Sequence, residues 1–217
     1  MAVKLKNIPP ERIEEESFRI IERELGPTEF SHEEFAVVRR MIHASGDLGF
    51  AKIVRFYPGA VRAGIEAIKA GKDILVDVNM AVQGISAKIL QGFGGKVVCR
   101  IGDQEVVELA RKQHITRAEA GIELGADTNT GIVAIGNAPT ALVHTIEMVR
   151  EGRFSPDLII GVPVGFVNAK ESKELLQELD QPFITVKGTK GGTPTAVAAV
   201  NAILRLSLEP RSCTPNA

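Results

Sequence analysis

The chain has 217 residues, of which 44% are hydrophobic and 24% charged, enough for one substantial core and slightly short for two. A net charge of −1, one tyrosine and no tryptophan exclude both a global basic field and a row of aromatic platforms for nucleic acid. No apolar run reaches bilayer length, and the start of the chain runs into Pro9-Pro10 without a signal-peptide core, so the sequence predicts a cytoplasmic protein away from membranes.

A first helix is expected from Pro10-Glu11 to Leu25, stopped by Gly26-Pro27. Ser31 and Glu34 form a capping box that opens a second helix, with Phe35, Val38, Met41 and Ile42 on its apolar stripe and an end near Ser45-Gly46. The chain then alternates. Five β-branched runs read as buried strands (74–78, 97–101, 131–135, 158–161 and 183–186), with 53–56 as a possible sixth, and helices are expected at 60–70, 80–91, 104–126, 139–151, 170–179 and 194–206. This order predicts an α/β fold: a mostly parallel sheet of five or six strands with helices on both faces. Residues 1–210 read as a single domain, followed by a polar, disordered tail, 211–217. Cys99 reads as a small core residue and Cys213 falls in the tail, too few cysteines for a disulfide framework.

Open parallel sheets bind ligands beyond the carboxyl ends of their strands. The segments expected there are Asp77-Val-Asn-Met80, Gly136-Asn-Ala-Pro-Thr140, Val162-Pro-Val-Gly-Phe-Val-Asn168 and Lys187-Gly-Thr-Lys-Gly-Gly-Thr-Pro194. The glycine loop 188–192, beside Lys187 and Lys190 and ahead of a helix, favours an anion-binding role over a plain connection. It has neither the P-loop nor the dinucleotide spacing. Asn137 and Thr140 fit an ordinary helix entry. Arg117 follows Thr116 in a Thr-x-x-Glu cap, where a cation opposes the helix dipole, a hint of a ligand or subunit contact against the default of a solvated surface arginine.

The four histidines show no metal-ligand spacing, so no metal is expected. His43 lies off the apolar stripe of its helix, three and four residues after Arg40 and Arg39. On geometry alone, an inert histidine near a helix end is the favoured reading. The functional alternative is a proton donor, with Asp47 and the dipole favouring imidazolium and the arginines opposing it. Ser17 interrupts an apolar face made by Ile13, Ile20 and Ile21. It either bonds the preceding turn or points into a ligand cavity.

The run Arg40-Met-Ile-His-Ala-Ser-Gly-Asp47, together with Ile135-Gly-Asn-Ala-Pro-Thr-Ala-Leu142, Gly161-Val-Pro-Val-Gly-Phe-Val-Asn-Ala-Lys-Glu-Ser-Lys173 and the Lys-Gly-Gly stretch before Ala199-Val-Asn-Ala202, resembles the precorrin-8X methylmutase family, from about Ile8 to Leu206. The resemblance implies an isomerase of cobalamin biosynthesis that moves the C-11 methyl of a tetrapyrrole, precorrin-8 or its cobalt form, to C-12, as a homodimer without a separate cofactor. It implies His43 as the catalytic acid, Ser17 and Arg40 as substrate contacts and Arg117 near the ligand, with Asn137 and Lys190 added from the same edge. Many members carry arginine where this chain has Thr189, and Lys187 or Lys190 would substitute. A non-catalytic tetrapyrrole carrier is the alternative. A nucleotide-using enzyme would rest on the glycine loop alone. The choice between metal-free and cobalt substrate stays open and leans to cobalt.

Overall fold

Parallel strands covered on both faces need apolar side chains on both, and the runs expected to be strands supply them. A computed structural model of the protein describes residues 7–210; the tail expected at 211–217 lies outside them. The strands are β1 (Val54–Phe56), β2 (Asp73–Val76), β3 (Val97–Val98), β4 (Thr130–Ile135), β5 (Leu158–Gly161) and β6 (Phe183–Val186), in the order β1-β6-β5-β4-β2-β3. Every residue of β2, β4, β5 and β6 is buried. β2 through β6 run parallel, while β1 pairs antiparallel with β6, Val54 opposite Val186. The expected α/β sheet is therefore present, with the possible sixth strand real and reversed.

The helices are α1 (Ile13–Leu25), α2 (His32–Ser45), α3 (Phe50–Ile53), α4 (Ala60–Lys69), α5 (Asn79–Gly84), α6 (Ala87–Gly92), α7 (Gln104–Gln113), α8 (Arg117–Gly125), α9 (Pro139–Arg150), α10 (Ala169–Leu176) and α11 (Thr193–Ser207). One core joins α1–α6 and α11 to one face of the sheet through Val38, Ile42, Ile68, Leu90 and Ile203. A second joins α8–α10 to the other through Ile122, Leu142, Ile146 and Leu176. α11 is apolar around most of its circumference because it is packed between the sheet and α2, α4 and α5.

Several expected boundaries differ, each for a physical reason. The first helix begins with a 3₁₀ turn, Pro10–Arg12, and becomes α-helical only at Ile13. The helix expected at 80–91 is two, because Asn201 of α11 accepts from the Ser86 N–H at 2.8 Å and donates to the Gly84 carbonyl at 2.9 Å, holding the chain extended at Ile85. The helix expected at 104–126 is also two. His114 adopts a left-handed conformation, φ 57°, that ends α7, and the Thr116–Glu119 capping box starts α8. β3 is shorter than expected because the chain turns at Arg100, whose guanidinium holds Asp103, Glu105 and the Leu124 carbonyl. On α2 the buried face is Val37, Val38, Met41 and Ile42, and Phe35 is only half-buried.

Because five strands run parallel, the loops after β2, β4, β5 and β6 all emerge at one edge. They pack on one another there. Gly192 donates to the Val162 carbonyl at 2.8 Å and Gly165 to the Thr189 carbonyl at 3.1 Å. Gly191, at φ 148°, leaves no room for a side chain: a Cβ would lie 2.2 Å from the Val162 oxygen.

Candidate active site

The first two helices cross at Phe18. Arg39 and Arg40 lay their guanidinium groups over its ring, 4.2 and 5.0 Å from the centre, and the His43 imidazole meets the ring edge-on at 5.4 Å and 81°. The two arginines then diverge. Arg39 pairs with Glu22, while Arg40 holds Glu14 by two hydrogen bonds of 2.8 and 3.3 Å. Arg205, from the last turn of α11, lies 3.9 Å from the same Glu14 carboxylate. The Arg40 hydrogen bond, aided by the charges of Arg40, Arg205 and His43, holds the Glu14 carboxyl below the usual range against the opposing effect of partial burial.

His43 occupies the last turn of α2, which Gly46 closes in a left-handed conformation by donating to the Ile42 carbonyl at 2.8 Å. The imidazole is exposed, and its nitrogens have no hydrogen bond or ion pair among the described residues. The charges expected to act on it are otherwise engaged. Asp47 accepts from Lys190 and from the Gly49 N–H, which lower its carboxyl in that order, and the arginines face glutamates. Ser17 is half-buried and donates to the Ile13 carbonyl at 2.8 Å, the local bond that its position on the helix allows. It shares a face of α1 with Glu14 and Phe18.

Lys190 is tied to Asp47, so the glycine loop braces the end of α2 instead of presenting a free ammonium group. Beneath that loop the fully buried Lys173 of α10 donates to the Lys190 carbonyl at 2.7 Å, and burial pulls its amine down to about 8. Thr189 is exposed beside it. Across the edge, the buried Asp77 at the end of β2 accepts from the Gly136, Asn137 and Ala138 N–H groups at 3.3, 2.8 and 2.8 Å. This is where the connections diverge, β2 leading to β3 and β4 to β5. Burial raises the Asp77 carboxyl and the three amides oppose that rise. Asn137 is left with its side chain exposed at this switch point.

Arg117 is exposed in the first turn of α8, on the other side of the sheet from His43. It nevertheless faces the same edge, since the neighbouring Thr116 hydroxyl lies 3.0 Å from that of Thr140 in the first turn of α9. Within one chain, then, Ser17, Arg40 and His43 are brought together with Lys190 close by through Asp47. Asn137 and Arg117 stand apart from them along the edge. Phe18, Glu14, Lys173 and Arg205 were not singled out from sequence. The signal for the first two was present, since Glu14, Ser17 and Phe18 follow helical i, i+3, i+4 spacing.

His144 is held by Glu123 at 2.7 Å between α9 and α8. Among the described residues no group of three His, Cys, Asp or Glu side chains converges to hold a metal ion. No described helix is long and apolar enough to cross a membrane. A cleft of roughly 490 Å³ opens at the opposite, amino edge of the sheet, where Lys72 and Asp157 satisfy each other at 2.6 Å, remote from these groups.

Fold and site together describe an α/β enzyme with an exposed imidazole set among cations at the carboxyl edge of its sheet. Residues 12–206 match the family described as precorrin-8X methylmutase. A cobalt-precorrin-8 methylmutase of Priestia megaterium is 44% identical over 197 residues, covering 90% of this chain and 88% of the relative. A precorrin-8X methylmutase of a Sinorhizobium species is 40% identical over 199 residues, covering 90% and 94%. A crystal structure of the precorrin-8X methylmutase from Thermus thermophilus superimposes with a TM-score of 0.82 at 46% identity, covering 90% of this chain and 97% of that one. The chain belongs to the precorrin-8X methylmutase family, whose members are isomerases.

Proposed function

We propose that this chain transfers the C-11 methyl group of precorrin-8, or of its cobalt form, to C-12 of the same macrocycle, with His43 as the general acid. The observation that carries the assignment is the His43 imidazole. It is exposed, without a hydrogen-bond or ion-pair partner among the described residues, and held in a T-shaped contact with Phe18, with two guanidinium groups on the same ring. In this mechanism the C-11–methyl bond breaks as the C-12–methyl bond forms. The reaction is intramolecular, so it needs no external nucleophile or co-reactant. A proton from His43 to the macrocycle would lower the barrier to migration and return to the imidazole afterwards.

The substrate's acidic side arms call for cations and hydroxyl donors. Arg40, Ser17, Asn137 and Arg117 are proposed as these contacts, joined by Lys190 once a substrate carboxylate takes the place of Asp47, spread along one edge as a broad ring would require. The region through residue 210 would act as one domain. We further propose that two copies pair at this edge, where Met80, Val164, Phe166 and Val167 are exposed apolar side chains, Phe166 by 93%.

The relatives include proteins named for both substrates, so the test offers each one: precorrin-8 and cobalt-precorrin-8 are incubated with wild type and His43→Ala, and the absorption change is followed. At least one should be converted by wild type, with turnover by His43→Ala lower by about 10²-fold or more. Tight binding with equal turnover by both proteins would remove His43 from the mechanism.

A further inference from the structure

We propose that Glu14 is a built-in occupant of a carboxylate subsite formed by Arg40 and Arg205, from which one acidic arm of the substrate displaces it. The inference rests on the methylmutase reading above. Three cationic or cationisable groups, Arg40, Arg205 and His43, act on this single carboxylate, so the cluster holds more positive charge than Glu14 alone neutralises. Arg39 does not belong to this group because Glu22 engages it.

The two sides of the contact differ in rigidity. Arg40 is only 17% exposed and backed by the Phe18 ring, a fixed fork of the kind that recognises carboxylates at two points. Glu14 is 46% exposed on the first turn of α1, where its side chain can swing into water. A half-exposed ion pair is weak, so exchanging one carboxylate for another costs little. Occupation by Glu14 spares the empty protein an unpaired, largely buried guanidinium. It also makes the subsite selective, because a ligand arm without a negative charge cannot replace what Glu14 supplies. Arg40 and His43 share one phenyl ring, so an arm seated on Arg40 places the macrocycle beside the proton donor.

The test is a spectroscopic titration of cobyrinic acid, a corrinoid carrying free carboxylates, and of its fully amidated counterpart. The proteins are wild type, Glu14→Gln, Glu14→Ala, Arg40→Gln and the Glu14→Gln/Arg40→Gln double variant. Removing the internal competitor should tighten cobyrinic acid binding about threefold to fivefold, the equivalent of one exposed ion pair. The gain should be absent for the amidated ligand and in the double variant. KM for precorrin-8 should fall in Glu14→Gln. A merely structural Glu14 would give folded variants, judged by circular dichroism, that bind as wild type or more weakly, and that result overturns the proposal. Should Glu14→Gln fail to fold, Glu14→Ala decides the matter by the same titration. Wild type that neither binds cobyrinic acid nor converts either precorrin would overturn the methylmutase reading, and this inference with it.

Discussion

Lys173 is a buried ammonium group held by the Lys190 carbonyl, a costly placement unless it does something for the loop above it. Its amine falls from an ordinary 10.5 to about 8 because burial disfavours the charge. Below pH 8 both folded and unfolded chains are protonated and the whole cost is felt, about 3 kcal/mol. Between about 8 and 10.5 the unfolded chain still binds the proton and the folded chain does not, so this group makes stability rise with pH across that window. Urea unfolding of wild type and Lys173→Met at pH 7 and pH 10 should show the stability difference moving in favour of wild type at the higher pH. A difference independent of pH would mean that the amine is not desolvated. Sequence could not have shown this, because Lys173 reads as one more charge on an amphipathic helix until the Lys187–Gly192 loop is folded over it. His43 was legible only in part. Helical geometry put it off the stripe, as found, but its contact with Phe18 and the engagement of Asp47 by Lys190, 143 positions away, depend on helix crossing and loop packing.

Elements are positioned by polar ties at their ends as much as by their apolar faces. Asp77 is the clearest case, joining the end of β2 to the three amides that open the turn into α9. Asp77→Ala leaves those buried donors unpaired, and we expect a loss of about 1–3 kcal/mol, seen as a lower urea midpoint with an unchanged slope. An unchanged midpoint would show that the tie contributes nothing. Local signals read true where the tie is local. The capping boxes at Ser31–Glu34 and Thr116–Glu119 both form, and the β-branched runs all became strands. Distant ties left no such mark. The break between α5 and α6 is made by Asn201, more than a hundred residues on, and periodicity across Asn79–Gly92 runs through it without a sign.

At the scale of the whole molecule, the carboxyl edge carries both the candidate chemistry and a set of exposed apolar side chains from the start of α5 and the loop after β5. If the proposed two-fold pair forms at this edge, Phe166→Glu should convert it into single chains by sedimentation while leaving thermal unfolding of the dilute protein little changed. A sedimentation coefficient identical to wild type would place the pairing surface elsewhere, or remove it. The parallel sheet was legible from strand–helix alternation alone. The reversal of β1 was not, because three residues of strand carry no directional signal and only pairing with β6 sets the orientation.

That pairing also has a consequence for the order in which the protein comes into being. His43, Arg40 and Phe18 leave the ribosome early, but β1 has no neighbour until β6 emerges, and α2 lacks its main packing partner until α11 follows. Arg205, which completes the cluster around Glu14, is among the last described residues of the chain. The amino-terminal segment must therefore wait, with the apolar face of α2 uncovered, until translation is nearly finished. An interrupted chain has every residue of the His43 helix without the partners that pack it, and a nascent one depends on whatever shields that face in the interval.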